Sequence, residues 1–362
     1  MTTAEGPVTL RPETAISYLE RRGMFDPSEK DAVSANALGG GVSNRVIRVD
    51  GRSRCLVLKQ PLGNLAVAED WPADVSRVHN EAAAARAYAA VARETNGSER
   101  RDQEGWSVSV PEIVFEDERH HVVAMECAPD GAMSWKSELL DGSVDVEVAR
   151  ALGRFLGVAH RSAAGDADLE DRFGNVRPFE QLRIEPYHRT TAARHPDLAD
   201  AILAETERVL GVRETLVHGD YSPKNVLVDR RGMESGDADD PTPTLWLLDF
   251  EVAHWGDPAF DTGFMLNHLF IKSVHNRART NEYLDAARAF WRAYDETTEW
   301  DAECETVREL AVLMLARVDG KSPVEYIDEP TGEVLREIAR RALTSEIATI
   351  REYASLTREV SE

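Results

Sequence analysis

The richest group of chemically active side chains lies at positions 218–225, where the chain reads His-Gly-Asp-Tyr-Ser-Pro-Lys-Asn between two short apolar segments. Phosphoryl transfer needs a carboxylate that orients the acceptor hydroxyl and takes its proton, and oxygen ligands that hold a divalent metal on the phosphates. Asp220 and Asn225 supply both on one loop. Lys224, between them, either neutralises the transferring group or forms a surface ion pair.

A second acidic group follows the apolar segment 245–248, where the chain continues Asp249-Phe250-Glu251. A carboxylate directly after a buried strand is well placed as a metal ligand, so we expect Asp249 and Asn225 to bind Mg²⁺ together. Glu251 either binds a second metal ion through water or holds the loop. The two motifs together predict metal-dependent phosphoryl transfer.

The N-terminal part carries residues suited to binding a nucleotide. A glycine cluster could close over ATP phosphates with its backbone N–H groups, or could mark an ordinary turn; it consists of Gly39, Gly40 and Gly41. Lys59 ends a strand soon after this cluster, where a lysine can reach the α- and β-phosphates. Glu81, in the next helical segment, is the expected ion-pair partner of Lys59.

The elements that position these residues divide the chain into a strand-rich part and a helical part. Alternation at 45–49 and the apolar segment 54–59 predict a hairpin, and the Ala-rich segment 76–93 predicts a helix. Residues 230–244 are rich in Asp and Glu and predict an acidic insertion. Further helices are expected at 281–294, 304–316 and 332–355.

These motifs resemble those of the aminoglycoside phosphotransferase superfamily, the small-molecule branch of the protein-kinase-like fold. The stretch 256–263, Gly-Asp-Pro-Ala-Phe-Asp-Thr-Gly, is similar to the segment that follows the metal-binding Asp in that superfamily. The resemblance implies an α+β, two-lobed protein-kinase-like fold. Residues 1–127 would form a small β-rich lobe that binds ATP, and residues 128–362 a larger helical lobe for catalysis and substrate binding. It also implies ATP and Mg²⁺ as cofactors.

Within the superfamily the chain resembles methylthioribose kinases at 59–62, 68–72 and 260–269, and choline and aminoglycoside kinases at Asn225 and Phe250. The resemblance implies transfer of the ATP γ-phosphoryl group to a hydroxyl of a small molecule, either a sugar or a thiosugar similar to methylthioribose. The alternatives are a choline, ethanolamine or aminoglycoside kinase, and a non-catalytic nucleotide-binding module.

The resemblance also implies roles for residues outside the two acidic motifs. Glu126 and Cys127 would contact adenine through their main chain, at the hinge between the lobes. His218 is expected to be structural, because Asp220 already serves as the base. Asp261 is expected to brace the catalytic loop through hydrogen bonds.

The sequence gives the least information about the residues that bind the acceptor. The candidates are Tyr187, Arg189, Arg317 and Lys321. The cluster 317–323 could bind a phosphorylated or polyhydroxylated substrate through its Arg and Lys. It could equally be a helix end at which basic residues complement the helix dipole.

Composition restricts the classes of partner. The formal net charge is −23, which argues against non-specific nucleic-acid binding, because a phosphate polymer would be repelled. No apolar run approaches the ~18–20 residues of a membrane span, and no signal peptide is visible, so we expect a cytoplasmic protein without membrane contact. A homodimer is left open.

Two residue types are used unusually. Cys55, Cys127 and Cys304 are far apart in the sequence, which speaks against a disulfide framework or a zinc site. The basic residues are six Lys and 36 Arg, which indicates either a GC-rich genome or a saline cytoplasm. Lys59, Lys224 and Lys321 nevertheless fall where a phosphoryl group would be handled.

Overall fold

The computed structural model describes residues 8–26, 32–39, 41–67, 70–97, 105–231 and 242–362. The strands are β1 (Ser34–Ala37), β2 (Asn44–Asp50), β3 (Cys55–Pro61), β4 (Ser107–Ser109), β5 (Ile113–Asp117), β6 (Val122–Glu126), β7 (Met133–Ser134), β8 (Thr215–Val217), β9 (Val226–Asp229), β10 (Thr244–Leu247) and β11 (His254–Gly256).

The helices that the structure describes lie mostly after β7. They are α1 (Pro12–Arg21), α2 (Arg77–Asn96), α3 (Trp135–Leu140), α4 (Val146–Ala163), α5 (Ala167–Phe173), α6 (Arg177–Phe179), α7 (Thr190–Arg194), α8 (Ala199–Gly211), α9 (Pro258–His275), α10 (Thr280–Asp295), α11 (Glu303–Asp319), α12 (Glu329–Thr344) and α13 (Ile350–Ser361), with a π-helical segment at Glu180–Arg189 between α6 and α7.

The N-terminal region is built on an antiparallel sheet in the order β1-β2-β3-β6-β5. Leu56 and Leu58 of β3 are buried with α1 on one face of this sheet. Because side chains alternate along a strand, Lys59 points to the other face, where α2 also packs. The alternating pattern therefore aims Lys59 at the helix that carries Glu81.

Two smaller sheets position the acidic motifs. One has the order β4-β10-β9-β7, and the other pairs β8 with β11. The catalytic loop, residues 218–225, connects β8 to β9, and residues 248–253 connect β10 to β11. Since β9 and β10 are adjacent antiparallel strands, both loops leave the sheet at one end. The fold is α+β, with a β-rich N-terminal region and a larger helical part, as the sequence predicts.

The helical part packs tightly around α4 and α10. Gly153 of α4 lies so close to α10 that an added Cβ would collide with the backbone oxygen of Phe290. The absence of a side chain lets the two helices approach, and the core between them includes Leu152, Leu156 and Phe290. No helix among the described residues is long and apolar enough to cross a membrane.

The disulfide corrects the interpretation of the cysteines. Cys55 begins β3 and Cys127 directly follows β6, and the antiparallel register places Leu56 opposite Glu126. The two cysteines thus meet across the sheet with their Cα atoms 5.5 Å apart and form a disulfide, while Cys304 is free. A separation of 72 residues gives no sign of this pairing, because it arises from strand register.

The structure also corrects one predicted helix. The segment 332–355 is two helices: α12 ends at Thr344 and α13 begins at Ile350. Thr349 and Glu352 form a capping box that starts the second helix, since each side chain accepts a hydrogen bond from the other residue's backbone N–H. Most of the predicted acidic insertion, at 232–241, lies outside the described residues.

Candidate active site

A buried carboxylate from α9 holds the start of the catalytic loop. Asp261 accepts hydrogen bonds from the backbone N–H groups of His218 (2.7 Å) and Gly219 (2.8 Å), and Nε2 of His160 lies 3.3 Å from its Oδ2. Gly219 has φ 77°, and a Cβ there would lie 2.6 Å from the carbonyl oxygen of Val252. The turn therefore needs glycine, and Asp261 makes the bracing contacts that the sequence predicts.

His218 is fixed as a neutral imidazole. Its Nδ1 accepts a hydrogen bond from the backbone N–H of Asp220 at 3.2 Å, and its Nε2 donates to the carbonyl oxygen of Leu248 at 3.1 Å. Burial lowers the pKa of His218 against the opposing effect of nearby carboxylates such as Asp261. With both ring nitrogens used for structure, His218 links the two loops.

Asp220 is buried and surrounded by donors. Its Oδ2 lies 3.0 Å from Nη2 of Arg183, 3.0 Å from Nζ of Lys224 and 2.7 Å from Nδ2 of Asn225. Burial would raise the pKa of Asp220, but the charges of Arg183 and Lys224 outweigh it and lower the pKa. The carboxylate is therefore ionised at neutral pH. All three contacts are made by Oδ2.

Arg183 is the residue that sequence reasoning missed. It lies in the π-helical segment, and besides the ion pair with Asp220 its Nε donates to the carbonyl oxygen of Gly219 at 2.9 Å. The available signal was Pro186, three residues further on, because a proline inside a helical segment marks irregular helix geometry. That signal indicates a distortion and does not indicate which side chain uses it.

The two predicted metal ligands are brought together by strand register. Val226 pairs with Leu247, and the backbone N–H of Leu248 donates to the carbonyl oxygen of Asn225 at 2.9 Å, so that Asn225 and Asp249 are close neighbours. Asp249 has φ 70°, a conformation that non-glycine residues rarely adopt and that is frequent at functional sites.

The donor set fits Mg²⁺, which prefers carboxylate and amide oxygens and usually completes its shell with water and substrate phosphates. Nδ2 of Asn225 is used by Asp220, which leaves its oxygen for a metal. Burial would raise the pKa of Asp249, but Lys59 and Lys224 outweigh it and lower the pKa, so the carboxylate stays ionised. The described residues contain no cluster of three or more His, Cys, Asp or Glu side chains suited to a metal.

Glu251 makes structural contacts. Its Oε2 accepts hydrogen bonds from Nε of Arg77 and Nδ2 of Asn44, both at 2.9 Å. Arg77 is fully buried and also donates to the carbonyl oxygen of Ser43 at 2.6 Å. Glu251 thus ties the loop after β10 to α2 and to the glycine-rich hairpin. These contacts agree with the predicted role of holding the loop. A metal-binding role for Glu251 stays a prediction.

Lys59 forms the ion pair with Glu81 that the sequence predicts, and its Nζ also lies 2.7 Å from Oδ1 of Asp249. Burial would lower the pKa of Lys59, but the charges of Asp249 and Glu81 outweigh it and raise the pKa. The lysine is therefore a permanent cation beside the predicted metal ligand. Its contact with ATP phosphates stays a prediction.

The glycine-rich hairpin and the hinge flank this lysine along the chain. Gly39 and Gly41 have open space around them, and Gly40 lies outside the described residues. At the hinge, Glu126 is exposed, and the backbone N–H of Cys127 lies 3.4 Å from the carbonyl oxygen of Cys55. The contacts predicted between these residues and ATP stay predictions.

The structure brings together two of the four predicted acceptor residues. Tyr187 and Arg317 meet, with Nη1 of Arg317 3.2 Å from the Tyr187 hydroxyl. Arg189 lies in exposed ion pairs with Glu185 and Glu180.

Lys321 faces the N-terminal region. Its Nζ donates to the carbonyl oxygen of Asp70 at 3.0 Å and lies 5.1 Å above the Trp71 ring. Trp71 in turn donates to the carbonyl oxygen of Gln181 at 2.9 Å, so this contact joins the two parts of the molecule.

Comparison with known proteins identifies the family. The profile of the phosphotransferase enzyme family, APH, matches residues 34–303. The chain belongs to this family. Membership of the APH family and the kinase-like fold make it a small-molecule phosphotransferase. A search of curated protein sequences found no match.

A search of solved structures found similar kinases, and the first of those described here shares the fold of this chain. Amicoumacin kinase, in complex with AMP-PNP, Ca²⁺ and amicoumacin, is 13% identical, with 93% of this chain and 96% of that chain covered and a TM-score of 0.57. Spectinomycin phosphotransferase with ADP and spectinomycin is 13% identical, covering 97% and 99%, with a TM-score of 0.44. Plasmodium vivax ethanolamine kinase is 11% identical, covering 100% and 96%, with a TM-score of 0.43.

Proposed function

We propose that the chain transfers the γ-phosphoryl group of ATP, bound with Mg²⁺, to a hydroxyl group of a small molecule. The observation that carries this proposal is the convergence of Asp220, Asn225 and Asp249, held by strand register, with the buried Lys59–Glu81 ion pair. These are the parts that phosphoryl transfer needs: a carboxylate for the hydroxyl, oxygen ligands for the metal, and a cation for the phosphates.

Asp220 is suited to orient the acceptor. Its Oδ2 is held by Arg183, Lys224 and Asn225, which fixes the carboxylate plane and leaves Oδ1 for the hydroxyl proton. A carboxylate with a lowered pKa is a weak base, so its main contribution is to align the hydroxyl oxygen. Lys224 lies beside it, half-exposed, where it can neutralise charge on the transferring group.

Asn225 and Asp249 would hold Mg²⁺, which would neutralise charge on the phosphate oxygens. Lys59, fixed by Glu81, would contact the α- and β-phosphates, while the hairpin and the hinge would cover the nucleotide. The Arg77–Glu251 ion pair keeps the hairpin, α2 and the metal-binding loop in register. Transfer would then proceed by positioning and charge neutralisation.

For the acceptor we propose a sugar or thiosugar hydroxyl, following the resemblance to methylthioribose kinases. Choline, ethanolamine and aminoglycosides are the competing acceptors, and these are cations that require an acidic pocket. Besides the neutral Asn225, the side chains that contact Asp220 are the cations Arg183 and Lys224, with Arg317 nearby through Tyr187. This charge distribution supports the sugar class over the cationic acceptors.

The test is a screen of the purified protein with Mg-ATP against sugars, methylthioribose, choline and aminoglycosides, at low and at molar KCl, with acceptor-dependent ADP release as the measurement. In Asp220→Asn we expect turnover to fall about 10²–10⁴-fold, because the hydroxyl loses its orienting carboxylate. ATP binding should be retained, since Asp220 is not placed to contact the nucleotide.

The matched control is Asp285→Asn, which removes an exposed carboxylate on α10 whose ion-pair partner among the described residues is Arg288. It should leave both turnover and ATP binding unchanged. Unchanged turnover in Asp220→Asn would refute the mechanism, and a chain that binds Mg-ATP without consuming it with any acceptor would favour the nucleotide-binding module.

A further inference from the structure

Five cations gather on the helical side of Asp220, in a chain whose net charge is −23. We call them the basic cluster; its members are Arg183, Lys224, Lys136, Lys272 and Arg317. Three of the six lysines of the chain belong to it. Such a concentration of positive charge in an acidic protein needs an explanation beyond composition.

Tyr187 connects the basic cluster to the catalytic carboxylate. Arg183, which pairs with Asp220, lies 5.7 Å from the centre of the Tyr187 ring, and Arg317 lies 5.6 Å from it. Burial would raise the pKa of Tyr187, but the charges of Arg317, Arg183 and Lys224 outweigh it and lower the pKa. The positive charge therefore extends from the catalytic loop to Arg317 without a break.

Lys272 is buried without a counterion. Its side chain is fully inaccessible, and among the described residues its Nζ has two long hydrogen bonds, 3.3 Å to the carbonyl oxygen of His268 and 3.4 Å to the hydroxyl of Tyr326, besides its contact with the Tyr326 ring. No carboxylate among the described residues forms an ion pair with it. Burial, together with the charges of Lys136 and Arg317, lowers the pKa of Lys272 to about 7, against the opposing charge of Glu325, which forms its ion pair with Lys136. An unpaired buried cation is unfavourable for folding, and an anionic ligand would offset this cost.

Arg317 and His268 also have unused hydrogen-bonding groups. Nε of Arg317 is buried and has no hydrogen-bond partner among the described residues, and no described carboxylate pairs with its guanidinium. The ring of His268 packs against Phe264, at 5.4 Å between centroids, and makes no hydrogen bond to a described residue. Burial and the surrounding cations hold the pKa of His268 well below its usual value, so the ring is a neutral donor.

The other cations of the basic cluster have carboxylate partners. Arg183 and Lys224 share Asp220, and Lys136 pairs with the exposed Glu325. Lys136 and Lys272 lie 5.8 Å and 5.3 Å from the centre of the same ring, that of Tyr326. The uncompensated charge is therefore concentrated at Lys272 and Arg317.

On this geometry we propose that the acceptor is an anion. Its carboxylate, phosphate or sulfate group would bind to Lys272 and Arg317, with His268 and Tyr187 as further donors, while its hydroxyl faces Asp220. This inference rests on the proposed phosphoryl transfer at Asp220 and specifies its substrate class. An anion would supply the counterion that Lys272 lacks, and cationic acceptors would be repelled.

The experiment measures anion binding through the thermal unfolding midpoint, with Mg²⁺ and AMP-PNP present to fill the nucleotide site. The probes are sodium sulfate, for phosphate and sulfate groups, and sodium acetate, for carboxylates, each compared with NaCl at equal ionic strength. We expect at least one probe to raise the wild-type midpoint above the NaCl value. The probe that raises the midpoint at the lower concentration indicates which kind of acid group the acceptor carries.

Two variants test the site. Lys272→Met and Arg317→Gln should each weaken the apparent affinity for the active probe about tenfold or more, because each removes one charge-assisted contact. Without anions, Lys272→Met should unfold at a higher temperature than the wild type, which also shows that it folds. The control, Arg288→Gln, removes an exposed charge on α10 and should respond as the wild type does.

General salt effects act on all variants alike, so differences between variants are the readout. Equal responses of the wild type, Lys272→Met and Arg317→Gln would overturn the inference. If ATP-dependent transfer is found but the anion response is the same in all variants, the inference fails and the proposed function stands. If the variants differ in anion response but no nucleotide binds, the proposed function fails.

Discussion

The clearest prediction compares two buried aspartates on one helix, Asp261 and Asp257, which lie four residues apart at the start of α9. Asp261 accepts two backbone N–H groups of the catalytic loop. Asp257 caps the helix by accepting the N–H of Ala259 at 2.9 Å, and it pairs with Arg208. We expect Asp261→Asn to be strongly destabilising and Asp257→Asn to be nearly neutral.

The magnitudes follow from what each carboxylate does. In Asp261→Asn an amide NH₂ would face one of the two backbone N–H groups and leave it unsatisfied, which costs about 3–5 kcal/mol in the free energy of unfolding. In Asp257→Asn the new residue is itself a good N-cap, so the change should stay within about 1 kcal/mol. Only Asp261→Asn should also lower turnover, because the loop that carries Asp220 loses its brace.

The pH dependence of the two effects has opposite signs. Burial would raise the pKa of Asp261, but the hydrogen bond and charge of His160 outweigh it and lower the pKa. Its stabilisation is therefore present above the unfolded pKa and is lost as the pH falls through the lowered value. Burial raises the pKa of Asp257 from 3.8 to about 6, against the opposing effect of Arg208. The contribution of Asp257 to the stability of the fold is therefore present at low pH and is lost as the pH rises through about 6.

The assay is urea unfolding of the wild type and both variants across this pH range. The advantage of the wild type over Asp261→Asn should be full at neutral pH and shrink in acid. Its advantage over Asp257→Asn should decrease as the pH rises from about 4 to 6. Equal losses of stability in the two variants at neutral pH would refute the assignment of Asp261 as the brace of the catalytic loop.

Two further predictions concern the disulfide and the buried lysine. Reduction of the Cys55–Cys127 bond, or Cys55→Ala, should lower the free energy of unfolding by about 4 kcal/mol, because the bond closes a separation of 72 residues; an unfolding midpoint that does not respond to reductant would contradict this. Lys272→Met should be more stable than the wild type. The difference in the free energy of unfolding should shrink by roughly 2 kcal/mol between about pH 6 and 8.5, because the wild-type lysine, with its pKa lowered to about 7, loses its proton in this range. A margin that does not change with pH would show that Lys272 is neutral or paired throughout.

Local spacing was sufficient to predict the core of the site. The catalytic loop and the residues after β10 each place several chemical groups within a few positions, so their proximity does not depend on distant folding. The segment 54–59 was predicted to be a strand, and because side chains alternate along any strand, the structure places Lys59 and the buried leucines on opposite faces. The ion pair between Lys59 and Glu81 was predicted because Glu81 lies in the helical segment that follows the strand of Lys59.

Contacts between distant segments could not be predicted in this way. Strand register joined Cys55 to Cys127, which the sequence analysis kept apart. Arg189 was a candidate for the acceptor site, but in the structure it forms exposed ion pairs, while Arg183 of the same π-helical segment reaches Asp220. Which face of a distorted helix meets the catalytic loop depends on how the π-helical segment packs.

The amino-acid sequence by itself determined the chemistry of this protein, since the residue types and spacing of two loops and a strand specify a phosphotransferase site. Only the tertiary structure decided where charge is left uncompensated. Lys272 and Arg317 lie on different helices, and their lack of carboxylate partners among the described residues depends on the packing of α9 against α11. The net charge of −23 describes the whole chain, whereas folding gathers five cations from distant positions on the helical side of Asp220.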